Sequence, residues 1–326
     1  MSEACRSPSE WEPGRAIVWL QATRPGFLSV TLLAVLLGFS HADWLASLPG
    51  AEATAADGLV LALTLFGALF AHAGANVLND VADADNGCDA GNVDRIAPYT
   101  GGSRVIQDGR LSRRAMHRFG WGLLATSAGC GLFLLTLAGP RLLGFGLAGL
   151  LLAVAYSLPP LKLMSRGFGE LAVSIAWLLV VVGSASVVGP SSDARSWLAG
   201  LPFALHAGMI LLVNQVPDRA ADRRAGKLNW TARLAPEHAV RLYFAAWLAS
   251  GLALLAADRV GALPAASLLA LAALPIGLGV MQQLRRQPPM PARLTTAIRL
   301  NLLQAHLVGA LLTISLFVAP LQRTSP

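Results

Sequence analysis

Nine apolar stretches, most of them about 20 residues long, dominate this 326-residue chain, and they constrain its fold more than any single motif. They cover approximately 19–42, 58–82, 116–137, 142–158, 168–189, 197–217, 239–257, 260–281 and 297–320. A hydrocarbon core about 30 Å thick is crossed by about 20 helical residues. Lipid cannot satisfy exposed backbone groups, and the alternating pattern of barrel strands is absent, so helices are expected. Only 13% of the residues are charged while 55% are hydrophobic. A water-facing domain carries about 25% charged residues. The composition therefore excludes an ordinary soluble globule and predicts an all-α polytopic membrane bundle of about nine transmembrane helices around a central cavity. A polar cytoplasmic segment at 1–18, one transmembrane domain at 19–320 and a short tail at 321–326 are the expected divisions.

The net charge of +7 raises the question of a nucleic-acid partner, and the placement of the basic residues answers it. When loops are assigned alternately to the two sides, one side collects 21 Lys and Arg and the other only Arg141, Arg195, Arg259 and Arg323. By the positive-inside rule the rich side is cytoplasmic. Basicity here reports topology, and no nucleic acid is expected. The first fifteen residues, with Pro8, Pro13 and Gly14, do not resemble a secretory leader. Cys5, Cys88 and Cys130 show neither even pairing nor metal-type spacing, so reduced thiols without a role are expected.

Two cytoplasmic helix ends break the apolar pattern. Asn76, Asn79, Asp80 and Asp83 stand at i, i+3, i+4 and i+7, which places them on one helical face. Asn214, Asp218 and Asp222 stand at i, i+4 and i+8, again on one face, with Pro217 expected to kink that helix end. The shared Asn-x-x-x-Asp at 76/80 and 214/218 reads as a weak internal repeat, two similar bundles facing one another across a cavity. Clustered carboxylates repel unless a cation neutralises them. Oxygen donors without adjacent His point to Mg²⁺, which completes its shell with phosphate oxygens and water. Arg104, in the loop Thr100-Gly101-Gly102-Ser103-Arg104, and Lys162, after Pro159-Pro160-Leu161, supply cations on the same membrane face. His72 and His206 lie within apolar helices, about one turn before Asn76 and two turns before Asn214.

At these motifs the chain resembles the UbiA superfamily of membrane prenyltransferases, from Ala22-Thr23-Arg24-Pro25 to at least Leu242. Asn79-Asp80-x-x-Asp83 with a further Asp89 is similar to the branch that prenylates 1,4-dihydroxy-2-naphthoate for menaquinone. Asp218-x-x-x-Asp222 followed by Ala225-Gly226-Lys227 is similar to that branch too, as is Tyr156-Ser157-Leu158-Pro159-Pro160-Leu161-Lys162. Gly101-Gly102-Ser103-Arg104-Val105, Trp177 and Asn229-Trp230 depart from its usual pattern in places expected to touch the acceptor.

The resemblance implies Mg²⁺-dependent transfer of a polyprenyl chain from its diphosphate to a small aromatic acceptor, with the naphthoate as the first choice. Asp80 and Asp83 would hold one Mg²⁺, and Asp218 and Asp222 a second. Asn76 and Asn214 would support them as polar ligands, Asn79 and Asp89 would bind substrate, Arg104, Lys162 and Lys227 would contact the diphosphate, and Tyr156 would orient the acceptor or stabilise a cation. The implied setting is a bacterial inner membrane, with the site facing the cytoplasm and the isoprenoid tail in contact with lipid. Prenylation of 4-hydroxybenzoate or of a chlorophyll- or haem-type acceptor is the alternative within the class. An ion or phosphate transporter is the alternative outside it, disfavoured because the carboxylates gather at one membrane face.

Overall fold

A computed structural model describes residues 13–49, 57–189, 194–286 and 289–323. Eleven α-helices follow in order: α1 (Pro13–Ala22), α2 (Pro25–Ala46), α3 (Gly58–Asp85), α4 (Arg113–Ala138), α5 (Leu142–Ser157), α6 (Gly169–Val188), α7 (Ala194–Arg224), α8 (Trp230–Arg233), α9 (Pro236–Arg259), α10 (Pro275–Arg285) and α11 (Pro291–Arg323). No strand occurs among the described residues. Among the described residues eight segments are long and apolar enough to cross a membrane, and α5, with 16 residues, is a shorter apolar ninth. The protein is an integral membrane helical bundle.

Local chemistry sets the helix ends. The Asp57 carboxylate accepts from Leu59 N–H at 3.0 Å and caps α3, and the Ser112 hydroxyl accepts from Ala115 N–H at 3.1 Å and caps α4. Pro25 and Pro236 open α2 and α9, where a missing N–H costs nothing. Prolines do not break α7, which continues through Pro202 and Pro217 to Arg224. The expected kink at 217 is therefore not a helix end.

Two further features refine the expected outline. The stretch at 260–281 is not one regular helix, because a 3₁₀ segment at Ala265–Ala273 precedes α10. Pro275 cannot donate at this junction, where Trp247 Nε1 donates to the Leu274 carbonyl at 2.8 Å. The polar lead expected at 1–18 already forms α1 from Pro13, and Trp19 of α1 packs edge-on against Phe119 of α4 at 4.8 Å. Residues 1–12, with Cys5, and residues 324–326 of the expected tail lie outside the described residues.

The largest core cluster joins α2, α6, α7 and α11 through Leu37, Val181, Phe203, Leu312 and Leu316, while Leu132, Leu151 and Phe317 face outward, as lipid contact requires. Close helix approach depends on small residues. A side chain at Gly38 of α2 would begin 2.3 Å from the Val181 carbonyl of α6, so only glycine lets these two helices meet. Elsewhere between α2, α3, α5, α6 and α7 the helices enclose a cavity.

Candidate active site

The cavity has a volume of about 250 Å³ and is polar at the motif end of α3 and α7. Because α3 remains helical to Asp85, Asn76, Asn79 and Asp83 share its cavity face, and α7 brings Asn214, Gln215, Asp218 and Asp222 to the opposite wall. The two motifs, distant in sequence, therefore meet. Asp89, Tyr99, Thr100, Gly101 and Gly102 of the α3–α4 loop, together with Tyr156 of α5, complete the polar end. Away from it the wall becomes apolar through Val30, Ala68, Leu152, Val173 and Ile210.

Each motif carboxylate has partners. Asp80 is buried and paired with the Arg24 guanidinium, and it accepts from Ser103 N–H at 3.0 Å and from the Ser103 hydroxyl. Lys227 Nζ donates to both oxygens of Asp83 at 2.9 and 3.0 Å and lies 3.8 Å from Asp222. Asp218 accepts from Asn92 Nδ2 at 2.6 Å and from Gly101 N–H at 3.2 Å. Asp222 accepts from Asn229 Nδ2 at 2.5 Å and from the Cys88 thiol at 2.9 Å. The Gly101 to Ser103 loop thus touches one carboxylate of each motif. Gly102, at φ 71, presses its backbone so near Asp89 that a side chain there would begin 2.3 Å from Oδ2.

Charge is not balanced in this space. Among the described residues, Arg24 and Lys227 are the cations lining the cavity beside Asp83, Asp89, Asp218 and Asp222, with Asp80 paired to Arg24. Burial, and then the charges of Asp83 and Asp80, push the Asp89 carboxyl up to about 7, and its Oδ2 has no hydrogen-bond partner. Burial alone would lower Lys227, but Asp83 and Asp222 outweigh it and hold the ammonium charged. Arg24 behaves likewise, with burial overcome by Asp80 and Asp89. Burial, then the charge of Asp222, raises the Cys88 thiol. A buried excess of carboxylate is an attractive site for a divalent cation.

The donor set suits a hard cation. It offers carboxylate oxygens from both walls, with the amide oxygens Asn214 Oδ1 and Gln215 Oε1 unpartnered. Among the described residues no three acidic, His or Cys side chains converge as a ready-made ligand set. Mg²⁺ does not require one, since it is held by one or two carboxylates and completed by substrate phosphates and water.

The structure separates the expected site residues into two groups. Asp83, Asp89, Asp218, Asp222, Asn76, Asn79, Asn214, Tyr156 and Lys227 all line the cavity, and Asp80 stands behind Arg24 and Ser103. Asn76 Nδ2 donates to the Thr23 carbonyl at 3.0 Å, and Asn79 accepts from Arg24 at 3.2 Å, so both amides already brace the entry to α2. Lys162 is exposed and Arg104 is directed elsewhere, donating to the Asp89 carbonyl at 2.7 Å, so neither forms part of the cavity wall.

Arg24 and Lys227 are the lining cations instead. Arg24 was legible only as a cation before a helix-opening proline on the motif face. Cys88, read as a thiol without a role, is buried on Asp222, and Asn229, read as near the acceptor, caps α8 and holds Asp222. His72 lines the cavity, accepting or donating with Thr31 Oγ1 at 2.8 Å, and Trp177 crosses it edge-on at 4.8 Å. His206 is buried against the Pro202 carbonyl and does not line the cavity.

A sequence model of the UbiA prenyltransferase family matches residues 32–303. This chain belongs to that family, and it is a prenyltransferase. It is 26% identical over 234 residues to UbiA prenyltransferase domain-containing protein 1 of Dictyostelium discoideum, an alignment covering 70% of this chain and 67% of that one. It is also 26% identical over 227 residues to 1,4-dihydroxy-2-naphthoate octaprenyltransferase of Haemophilus influenzae, covering 67% of this chain and 69% of the relative. Among solved structures, a UbiA homolog from Archaeoglobus fulgidus bound to GPP and Mg²⁺ superposes with a TM-score of 0.58 at 16% identity, covering 90% of this chain and 99% of that one.

Proposed function

We propose that the protein transfers a polyprenyl chain from its diphosphate to 1,4-dihydroxy-2-naphthoate, with Mg²⁺ bound between its two aspartate motifs. The observation that carries this reading is the meeting of both motifs at the polar end of one cavity whose other end is apolar. A diphosphate fits the first end and an isoprenoid the second. The solved homolog with GPP and Mg²⁺, and the naphthoate octaprenyltransferase relative, support the donor and the acceptor.

Asp83 on one wall, Asp218 and Asp222 on the other, and Asp80 from behind Arg24 and Ser103 would hold the metal. The ions, when bound, neutralise the charge that grows on the departing diphosphate. Arg24 and Lys227 are the side chains placed to contact the diphosphate oxygens, and the N–H groups of Gly101 and Ser103 stand beside them. Cleavage of the allylic C–O bond leaves its electron pair on the diphosphate and a cation on the isoprenoid. The apolar wall excludes water from that cation, and the Tyr156 ring faces the same space. The electron-rich ring carbon of the acceptor then forms the new C–C bond, and that carbon releases its carboxylate as CO₂. Trp177 and His72 shape the acceptor end. The setting proposed is a bacterial inner membrane with the metal end facing the cytoplasm.

The test is mass spectrometry of products formed by purified protein from one labelled diphosphate, offered the naphthoate and 4-hydroxybenzoate in separate reactions. Prenylated naphthoate lacking the carboxyl carbon, formed with Mg²⁺ and not with a chelator, is the expected result. Prenylated 4-hydroxybenzoate as the main product would replace the acceptor and leave the rest of the reading standing.

A further inference from the structure

Past Asn76 and Asn214 the cavity wall turns apolar, and among its described residues only Thr31, His72 and Trp177 carry a polar side-chain atom there. His72, Asn76, Asn79 and Asp83 stand at i, i+4, i+7 and i+11 on α3, so His72 is the next rung of the motif face, one turn deeper than Asn76. At about 1.5 Å per residue it lies about 16 Å from Asp83 along the helix.

The imidazole is held from two sides. Thr31 Oγ1 of α2 is hydrogen bonded to its Nδ1 at 2.8 Å, and the Trp177 ring of α6 packs edge-on at 4.8 Å. Thr31 is buried and so is Trp177 Nε1, so neither presents a polar atom to the cavity. His72 Nε2 does: among the described residues it has no hydrogen-bond partner, and it is not enclosed by protein. Joining α2 to α3 uses Nδ1 alone. A single fixed polar atom in an apolar wall is the arrangement that orients a bound ligand, and the Thr31 contact sets which way the ring faces.

We propose that His72 reads the acceptor: its Nε2 hydrogen bonds a ring hydroxyl and selects phenolic rings over rings that lack that oxygen. This assignment rests on the reading of the cavity as the prenyl-transfer site. The donor is not the partner, because its charged groups belong beside Arg24 and Lys227 and its isoprenoid has no polar atom. The acceptor ring must come within about 3–3.5 Å of the allylic carbon, which places it just past the diphosphate, at the depth of His72. Either tautomer serves. With Nδ1–H donating to Thr31, Nε2 accepts from the hydroxyl; with Thr31 donating, Nε2–H donates to the hydroxyl oxygen. A ring without the hydroxyl displaces water from Nε2 and leaves it unpaired, and that loss is the source of the selection. The Trp177 side of this grip is particular to the chain, since Trp177 is one of the positions that depart from the pattern it otherwise resembles.

The experiment measures binding of 1,4-dihydroxy-2-naphthoate, 1-hydroxy-2-naphthoate and 4-hydroxy-2-naphthoate to the detergent-purified full chain, loaded with Mg²⁺ and the unreactive thiolo analogue of geranyl diphosphate. The wild type should bind the dihydroxy compound at least about tenfold more tightly than one of the two monohydroxy compounds. His72→Phe, which keeps a ring against Trp177, should bring that pair within about twofold while the thiolo analogue binds as before. His72→Gln, which keeps a hydrogen-bonding group, should recover part of the preference. Thr31→Val, which frees the imidazole to turn, should weaken it and carries the test if His72→Phe is not recovered folded. A wild type without the preference overturns the proposal, as does a preference unchanged in His72→Phe or, in its place, in Thr31→Val. Equal loss of the thiolo analogue in His72→Phe also overturns it, because the histidine would then be holding the bundle. A wild type that binds 4-hydroxybenzoate but no naphthoate defeats the naphthoate reading separately. In that case 4-hydroxybenzoate against benzoate is the deciding pair, and a preference that survives His72→Phe sinks the assignment there too.

Discussion

Lys227 Nζ donates to Asp83 at 2.9 Å and stands 3.8 Å from Asp222, so a single ammonium links the carboxylates of α3 to those of α7. Removing it leaves buried like charges facing one another without a mobile counter-charge. Lys227→Met should therefore reduce kcat/KM for geranyl diphosphate by about 10²–10³. The variant should also need more Mg²⁺ to reach half its maximal rate. Steady-state kinetics at several Mg²⁺ concentrations check both, and a wild-type profile would mean the ammonium only holds the empty site together.

Each of Asp80→Ala, Asp83→Ala, Asp218→Ala and Asp222→Ala should lose most of its activity while the bundle stays folded. A group that stabilises charge developing on a leaving group contributes about 3–4 kcal/mol, a rate loss of about 10²–10³. Single-turnover rates at saturating Mg²⁺ measure this. Normal rates in any two of the four would defeat the assignment of both motifs to the metal.

Arg24 and Lys162 should separate sharply. Arg24 is half-buried and paired with Asp80 at the cavity wall, whereas Lys162 is exposed and outside it. Arg24→Ala should lower kcat/KM by about 10²-fold or more, since it also leaves Asp80 buried without its partner. Lys162→Ala should remain within about twofold, as expected of a solvated charge. The reverse order would show that the diphosphate binds toward the α5–α6 loop.

Trp177 packs edge-on against His72 in the cavity, at the end proposed for the acceptor. The wild type should release CO₂ from the naphthoate and use 4-hydroxybenzoate poorly. If 4-hydroxybenzoate is instead the better acceptor, Trp177→Gly should restore the bicyclic ring by widening the pocket. Radiometric CO₂ release from carboxyl-labelled naphthoate follows both proteins. Trp177→Gly without effect on the acceptor ratio would place ring selection in the Tyr99 to Val105 loop.

Cysteines introduced at Val93 and Gly226 test orientation, because both are exposed and lie on the basic side of the bundle. An impermeant maleimide should label them in inside-out vesicles and not in intact cells. Labelling of either from outside would invert the topology.

The sequence determined the membrane class, the all-helical bundle and the two carboxylate faces, because all three depend on local periodicity. Apolar length against bilayer thickness, and 3.6-residue spacing against one helical face, are written within each segment. Asn79 to Asp83 could be placed on one face without knowing anything beyond α3. Tertiary structure alone decided which cations serve that face. Lys162 and Lys227 look alike in sequence as basic residues near a motif, yet one is exposed and the other is buried between Asp83 and Asp222. The same applies to Cys88 and Asn229, whose chemistry appears only when the α3–α4 loop and α8 fold back onto Asp222. His72 could be placed one turn before Asn76, but its contacts with Thr31 and Trp177 had no sequence signal, since a grip made by α2 and α6 on a residue of α3 is a property of their packing and not of any one helix.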